Sequence, residues 1–290
     1  GSDAKHMANT KLDMGVAWTT TTGLIGANRD TISAIAGLFL FLPSLAAALF
    51  IPEATTTVPV GGSGGNQDPQ VAMQAALDQM TALYADNWPV LLAVSIAGFI
   101  GSLALLALLS DRGNPTVGEA LSTGIKAIPS YIAAQVLSAL AVGVVIGLPL
   151  GLAAAVAPPP VVAFAGLALV VIAIYLFVKF SLISPVIAIE EVRNPLAAIG
   201  RSWRLTKGNS LRIFAFFVLL FITVVIIGAL VQGVLTLILS AFGGAVATIG
   251  TGVVSALINT VMSVILLVVL AAIHRQLAGA APERLAEAFE

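Results

Sequence analysis

The residues best suited to chemistry in this chain are bases. Arg201, Arg204, Lys207 and Arg212 cluster in the stretch GRSWRLTKGNSLR, with Arg193 just before it. Five of the thirteen Lys and Arg residues thus fall between Glu190 and Phe214. Such a cluster attracts anionic headgroups by about 1 kcal/mol per base near a membrane. It also serves as an orientation signal and anchor, with Trp203 at headgroup level. The candidates for binding a lipid or a partner are therefore Arg201, Trp203, Arg204, Lys207 and Arg212. Glu190 and Glu191 offset part of the charge and Trp203 is the one stacking platform, so no nucleic-acid partner is expected.

A second group lies inside apolar runs. Lys179, in YLFVKFSLISP, carries a charge where charge is costly, which makes it a functional candidate. Its stem is also long enough to snorkel toward an interface past Ile183. Gln135, Gln232 and Asn259 can line a path or bond helix to helix. Gly143, Gly147 and Gly151 form a small-residue ladder suited to close helix packing or dimerisation, and Pro149 and Pro43 predict kinks. No run contains Asp or Glu, which counts against a proton-driven pump.

Enzymatic chemistry finds little material. Past the first six residues His274 is the sole histidine, and cysteine is absent. No metalloprotease, nucleophile-elbow or phosphate-loop motif occurs. The numerous hydroxyls have no base nearby in sequence. Asp78 and Asp86 read as a solvated pair. The expectation is a non-enzymatic protein with no cofactor, no metal site and no catalytic residues.

These residues need a scaffold, and composition says which. The chain is 59% hydrophobic and 9% charged, with a mean hydropathy of +1.05. A soluble domain needs about 25% charged residues to cover itself. A membrane protein follows. A crossing helix takes ~20 mostly apolar residues. Six runs qualify: Thr31–Ile51, Trp88–Leu109, Ser130–Ala155, Val161–Ile183, Ile213–Leu237 and Thr251–Ile273. The fourth stays apolar through Ile189, leaving its end open. Gly1–His6 reads as an expression-tag remnant and Met7 as the native start of a single transmembrane domain, 7–290.

Lys11, Arg29, Arg112, Lys126, the 190–212 loop, Arg275 and Arg284 all fall in alternate segments. Pro52–Asn87, by contrast, holds four acids and no base. The positive-inside rule then places both termini in the cytoplasm. Within the outer loop, Gly61–Gly65 reads as a flexible connector. Asp68-Pro69 reads as a helix start. Met73, Ala76, Leu77, Met80, Leu83 and Tyr84 then make one apolar helical face, expected to lie on the membrane or bundle or to act as a lid.

A repeat is visible. Asn114-Pro115 and Asn194-Pro195 each open an amphipathic stretch followed by two spans. Val117, Leu121, Ile125 and Ile128 form the first stripe, and Leu196, Ile199 and Trp203 the second. Met14, Trp18, Thr21 and Ile25 offer a third copy. Each unit reads as an interfacial helix plus a hairpin, and the copies are parallel, unlike the inverted repeats of many transporters.

These repeats, the phrase AIGRSWRLTKGNSLRIF and the six-span layout resemble the membrane domain of some bacterial glycerophosphodiester phosphodiesterases and the related YciC-like inner-membrane proteins. The sharp part is Ala198–Phe214. The hydrolase signature of the fused proteins is absent, and His274-Arg275-Gln276 does not match its opening. The resemblance implies a membrane fold linked to lipid or envelope biology in a bacterial inner membrane, and it carries over no catalytic residue. The sequence reading is thus an all-α polytopic protein in three units, an accessory or scaffold binding anionic lipid or a partner, with homo-oligomers possible. The alternative is a passive channel or transporter for a small or lipid-like solute.

Overall fold

The computed structural model describes residues 11–51, 68–110 and 114–279. The tag remnant, Met7, the Gly61–Gly65 connector, Arg112 and Arg284 lie outside the described residues. Nine helical segments occur among them, and no strand. They are α1 (Met14–Ala27), α2 (Arg29–Phe50), α3 (Pro69–Leu108), α4 (Val117–Val156), α5 (Pro159–Phe180), α6 (Ile183–Ile189), α7 (Pro195–Leu205), α8 (Ser210–Ser240) and α9 (Gly244–Ala278). Six stretches are long and apolar enough to cross a membrane: α2, α3, α4, α5 continued through α6, α8 and α9. Helices satisfy every backbone donor internally, which hydrocarbon demands.

Capping sets several helix starts. Asp68 Oδ1 accepts from the Gln70 N–H at 3.1 Å, with Pro69 at the first helical position as its sequence predicts. Asn194 Oδ1 accepts from Leu196 and Ala197 N–H, again ahead of a proline. The first Asn-Pro behaves differently: Thr116 caps α4 through the Glu119 N–H, and the helix begins at Val117.

Two expected breaks are missing. Residues 69–86 do not form a separate helix lying on the membrane or bundle; they run without interruption into the second span, giving a 40-residue α3. At ~1.5 Å per residue that is about 60 Å, twice the hydrocarbon thickness. Val117–Ile128 likewise fuses with the third span across Pro129.

The chain forms two compact units. The first comprises residues 1–32, 102–223 and 265–290. It holds the core: of the largest fully buried side chains, all but Ile35 and Ile51 belong to it. Leu103, Leu105, Leu106 and Leu109 come from the end of α3, Ile183 and Ile187 from α6, and Ile273 from α9. The apolar excess beyond the fourth run is explained here. Pro185 has no N–H for the Ser181 carbonyl and its ring would clash there, so the helix breaks. Ile183–Ile189 restarts as a short helix with Pro185 in its first turn, buried along nearly its whole length.

The second unit comprises residues 33–101 and 224–264. Gly37–Phe41 of α2 is a π-helical turn directly before Pro43. Gly101 of α3 packs onto it so closely that a Cβ would lie 2.7 Å from the Phe39 Cβ. Leu38, Leu42 and Pro43 face Pro89, Val90 and Val94 across an open apolar cleft of about 490 Å³.

Candidate functional site

The polar chemistry of the first unit gathers around α7. This helix turns one face inward, burying Ala198, Ser202 and Leu205. The Ser202 hydroxyl donates to the Lys179 carbonyl at 2.7 Å and accepts from the Leu182 N–H at 3.2 Å. It thereby satisfies two backbone groups freed by the α5–α6 break, both of them buried.

Glu190 ends α6, and Glu191 after it adopts the left-handed conformation (φ 56°) that closes many helices. The Glu190 carboxylate accepts from Arg201 Nε at 3.0 Å and meets His274 Nε2 of α9 at 2.8 Å. Burial works against the Glu190 charge. The hydrogen bond and charge of His274, then those of Arg201, outweigh it and hold the carboxyl below its ordinary value. An ionised carboxylate only accepts, so His274 presents N–H at Nε2.

The basic cluster consequently divides. Arg201 is tied to Glu190. Arg212 donates to the Leu12 carbonyl at 3.1 Å, while Asn209 Oδ1 accepts from the Leu12 N–H at 2.7 Å. Gln276 exchanges two hydrogen bonds with the Asp13 backbone, and Arg275 caps the end of α3 at the Leu109 carbonyl. Arg204 and Lys207 are exposed, and Trp203 beside them is 38% exposed.

Lys179 is only 3% exposed. Its ammonium lies 5.2 Å from the Trp203 ring centroid and 5.6 Å from that of Tyr175, so it is covered by aromatic faces. Trp203 meets Tyr175 edge-on at 5.9 Å and Phe180 at 6.0 Å.

The other intramembrane candidates are separately placed. Gln232 Nε2 donates to Ser255 Oγ at 2.7 Å, a helix-to-helix bond within the second unit. Gln135 is an exposed residue of α4 that hydrogen-bonds Tyr131, and Asn259 is exposed on α9. Gly143, Gly147 and Gly151 are exposed, and nothing lies within 4 Å of a Cβ built on any of them. Among the described residues, the ladder therefore packs against no other helix.

No protein-family model, curated protein or solved structure matches the chain. Its chemistry must be read from its own geometry.

Sequence reasoning found the bases but missed what pairs with them. Glu190 and His274 stand 84 residues apart, and no spacing rule joins them. The available signal was His274 itself, an ionisable group closing an apolar helix. Ser202 was invisible as a staple, because its role exists only where Pro185 forces a break.

Proposed function

We propose that the chain is a non-enzymatic multi-pass protein of a bacterial inner membrane that binds anionic phospholipid at the exposed end of α7 and acts as an accessory or scaffold in lipid or envelope organisation. The observation that carries this reading is the division of the basic cluster. Arg201 and Arg212 serve the fold, whereas Arg204 and Lys207, one and four residues beyond the partly exposed Trp203, are themselves exposed. Bases beside an interfacial Trp are suited to headgroup phosphates.

The charge distribution supports placing this end, and both termini, on the cytoplasmic side. There the leaflet is richest in anionic lipid. The three amphipathic stretches, each followed by two crossing helices, support a three-unit plan. All three bury small residues four apart: Ala17 and Thr21, Ala120 and Gly124, Ala198 and Ser202. The resemblance of Ala198–Phe214 to the membrane domains named above points the same way.

Native mass spectrometry from mild detergent tests the reading, with wild type beside Arg204→Ala/Lys207→Ala. Phosphatidylglycerol should remain on the wild type and leave the variant. Equal retention by both would sink the lipid assignment.

A further inference from the structure

Lys179 has an unusual position for a base. It is buried, yet among the described residues no carboxylate pairs with it. Glu190, the nearest acid along the chain, is already held by Arg201 and His274. Two aromatic faces stabilise the ammonium, and the carbonyl end of α5 favours a positive charge there. Neither contact uses its three N–H donors in conventional hydrogen bonds. The exposed Lys207 stands four residues beyond Trp203, the ring nearest the ammonium. A phosphate bound beside Trp203 would be attracted by both ammonium groups.

The surroundings indicate what carries the phosphate. Along α5, Tyr175, Val171 and Leu167 precede Lys179 at successive four-residue steps and are 46%, 67% and 69% exposed. This is an open apolar strip leading from the cage along the span, on the track an acyl chain would follow. Trp203 forms the outer wall, half open to a headgroup.

We propose that Lys179 is the phosphate seat of a phospholipid site: its caged ammonium binds the headgroup phosphate together with Lys207, and the lipid's tail lies along Tyr175, Val171 and Leu167. This rests on the lipid-binding reading and adds a buried, position-specific contact to it. Lys179 is then a specificity residue, reaching a phosphate that surface bases only attract.

The test uses the full chain, delipidated and then titrated with phosphatidylglycerol or phosphatidylcholine, with bound lipid counted by native mass spectrometry. Lys179→Met should weaken phosphatidylglycerol binding roughly tenfold, the scale of one lost charge-assisted hydrogen bond, and Lys179→Arg should restore most of it. Phosphatidylcholine, whose choline cation offsets the same phosphate, should bind the wild type more weakly than phosphatidylglycerol. If Lys179→Met binds phosphatidylglycerol like wild type while Arg204→Ala/Lys207→Ala does not, the seat is overturned and the collar reading survives. If wild type does not prefer phosphatidylglycerol over phosphatidylcholine, both fall. Displacement by millimolar inorganic phosphate, with no contribution from the tails, would overturn the lipid as the source. Should Lys179→Met fail to fold, Trp203→Leu decides: it removes the outer wall, and unchanged lipid binding would contradict the proposal.

Discussion

The helix α7 and the first three turns of α4 begin from the same sequence device and end differently. Both follow Asn-Pro, and both bury residues spaced i, i+4, i+7: Ala198, Ser202 and Leu205 in α7, Ala120, Gly124 and Ala127 in α4. In α4 that face is wholly small and apolar, and the helix runs on into a span. In α7 it carries Ser202, flanked by Arg201 and Trp203, and the helix stops at Thr206. Small apolar residues make the buried face of the first stretch, whereas a polar network holds the second. Only the second leaves a patch of bases free beside it.

The large apolar stripes behave alike in both. Leu196 is exposed on α7 and Ile125 on α4, while small residues, joined in α7 by Leu205, turn inward. Between a helix and lipid there is no hydrophobic gain in burying a leucine, so close packing by small residues decides the inward face.

Breaking the polar network should have the largest effect. Glu190→Ala removes the acceptor of both Arg201 and His274 and should cost about 3 kcal/mol, near the low end for a disrupted buried pair. Hydrogen exchange should rise in 195–205 and stay unchanged in 117–128. The network also predicts an acid limb. Because folding holds the Glu190 carboxyl below its ordinary value, its contribution is complete above pH 4.5 and is lost as pH falls through the lowered value. Thermal melts of Glu190→Gln should lack that limb, and an identical acid profile would contradict the assignment.

Overpacking the small face comes next. Ala120 is fully buried, so Ala120→Leu should cost about 1–3 kcal/mol by detergent thermal melts. Ser202→Ala should cost about 1–2 kcal/mol, since the Leu182 N–H and Lys179 carbonyl lose their partner. A silent Ser202→Ala would remove the distinction between the two helices.

The smallest effect belongs to the open glycine ladder. Gly147→Ala should change monomer stability by less than about 0.5 kcal/mol, because its Cβ meets nothing. Gly101→Ala, where the Cβ meets Phe39, should be clearly destabilising by the same melt.

Much of the architecture was legible in the sequence, because hydrocarbon imposes a length and a polarity that few residues can disguise. All six crossing helices stand where their apolar runs predict. Asp68 and Asn194 were legible as caps because capping is local. Inward faces were not: the stripe of Val117, Leu121, Ile125 and Ile128 follows apolar character, whereas the buried face is Ala120, Gly124 and Ala127. Prolines behave in two ways. Pro89 and Pro129 are passed by continuous helices, whereas Pro185 breaks one. Within the candidate site, the cluster from Arg201 to Arg212 was visible as charge. Its division depended on Glu190, His274 and Leu12, partners brought together only by the fold.

That division is most directly tested by melting temperature with and without phosphatidylglycerol, for Arg201→Ala against Arg204→Ala/Lys207→Ala. The account predicts that Arg201→Ala melts lower without lipid but keeps the lipid-induced rise. The double variant should melt like wild type and lose that rise. Equal behaviour of the two variants, or the reverse pattern, would contradict the separation of structural bases from ligand bases.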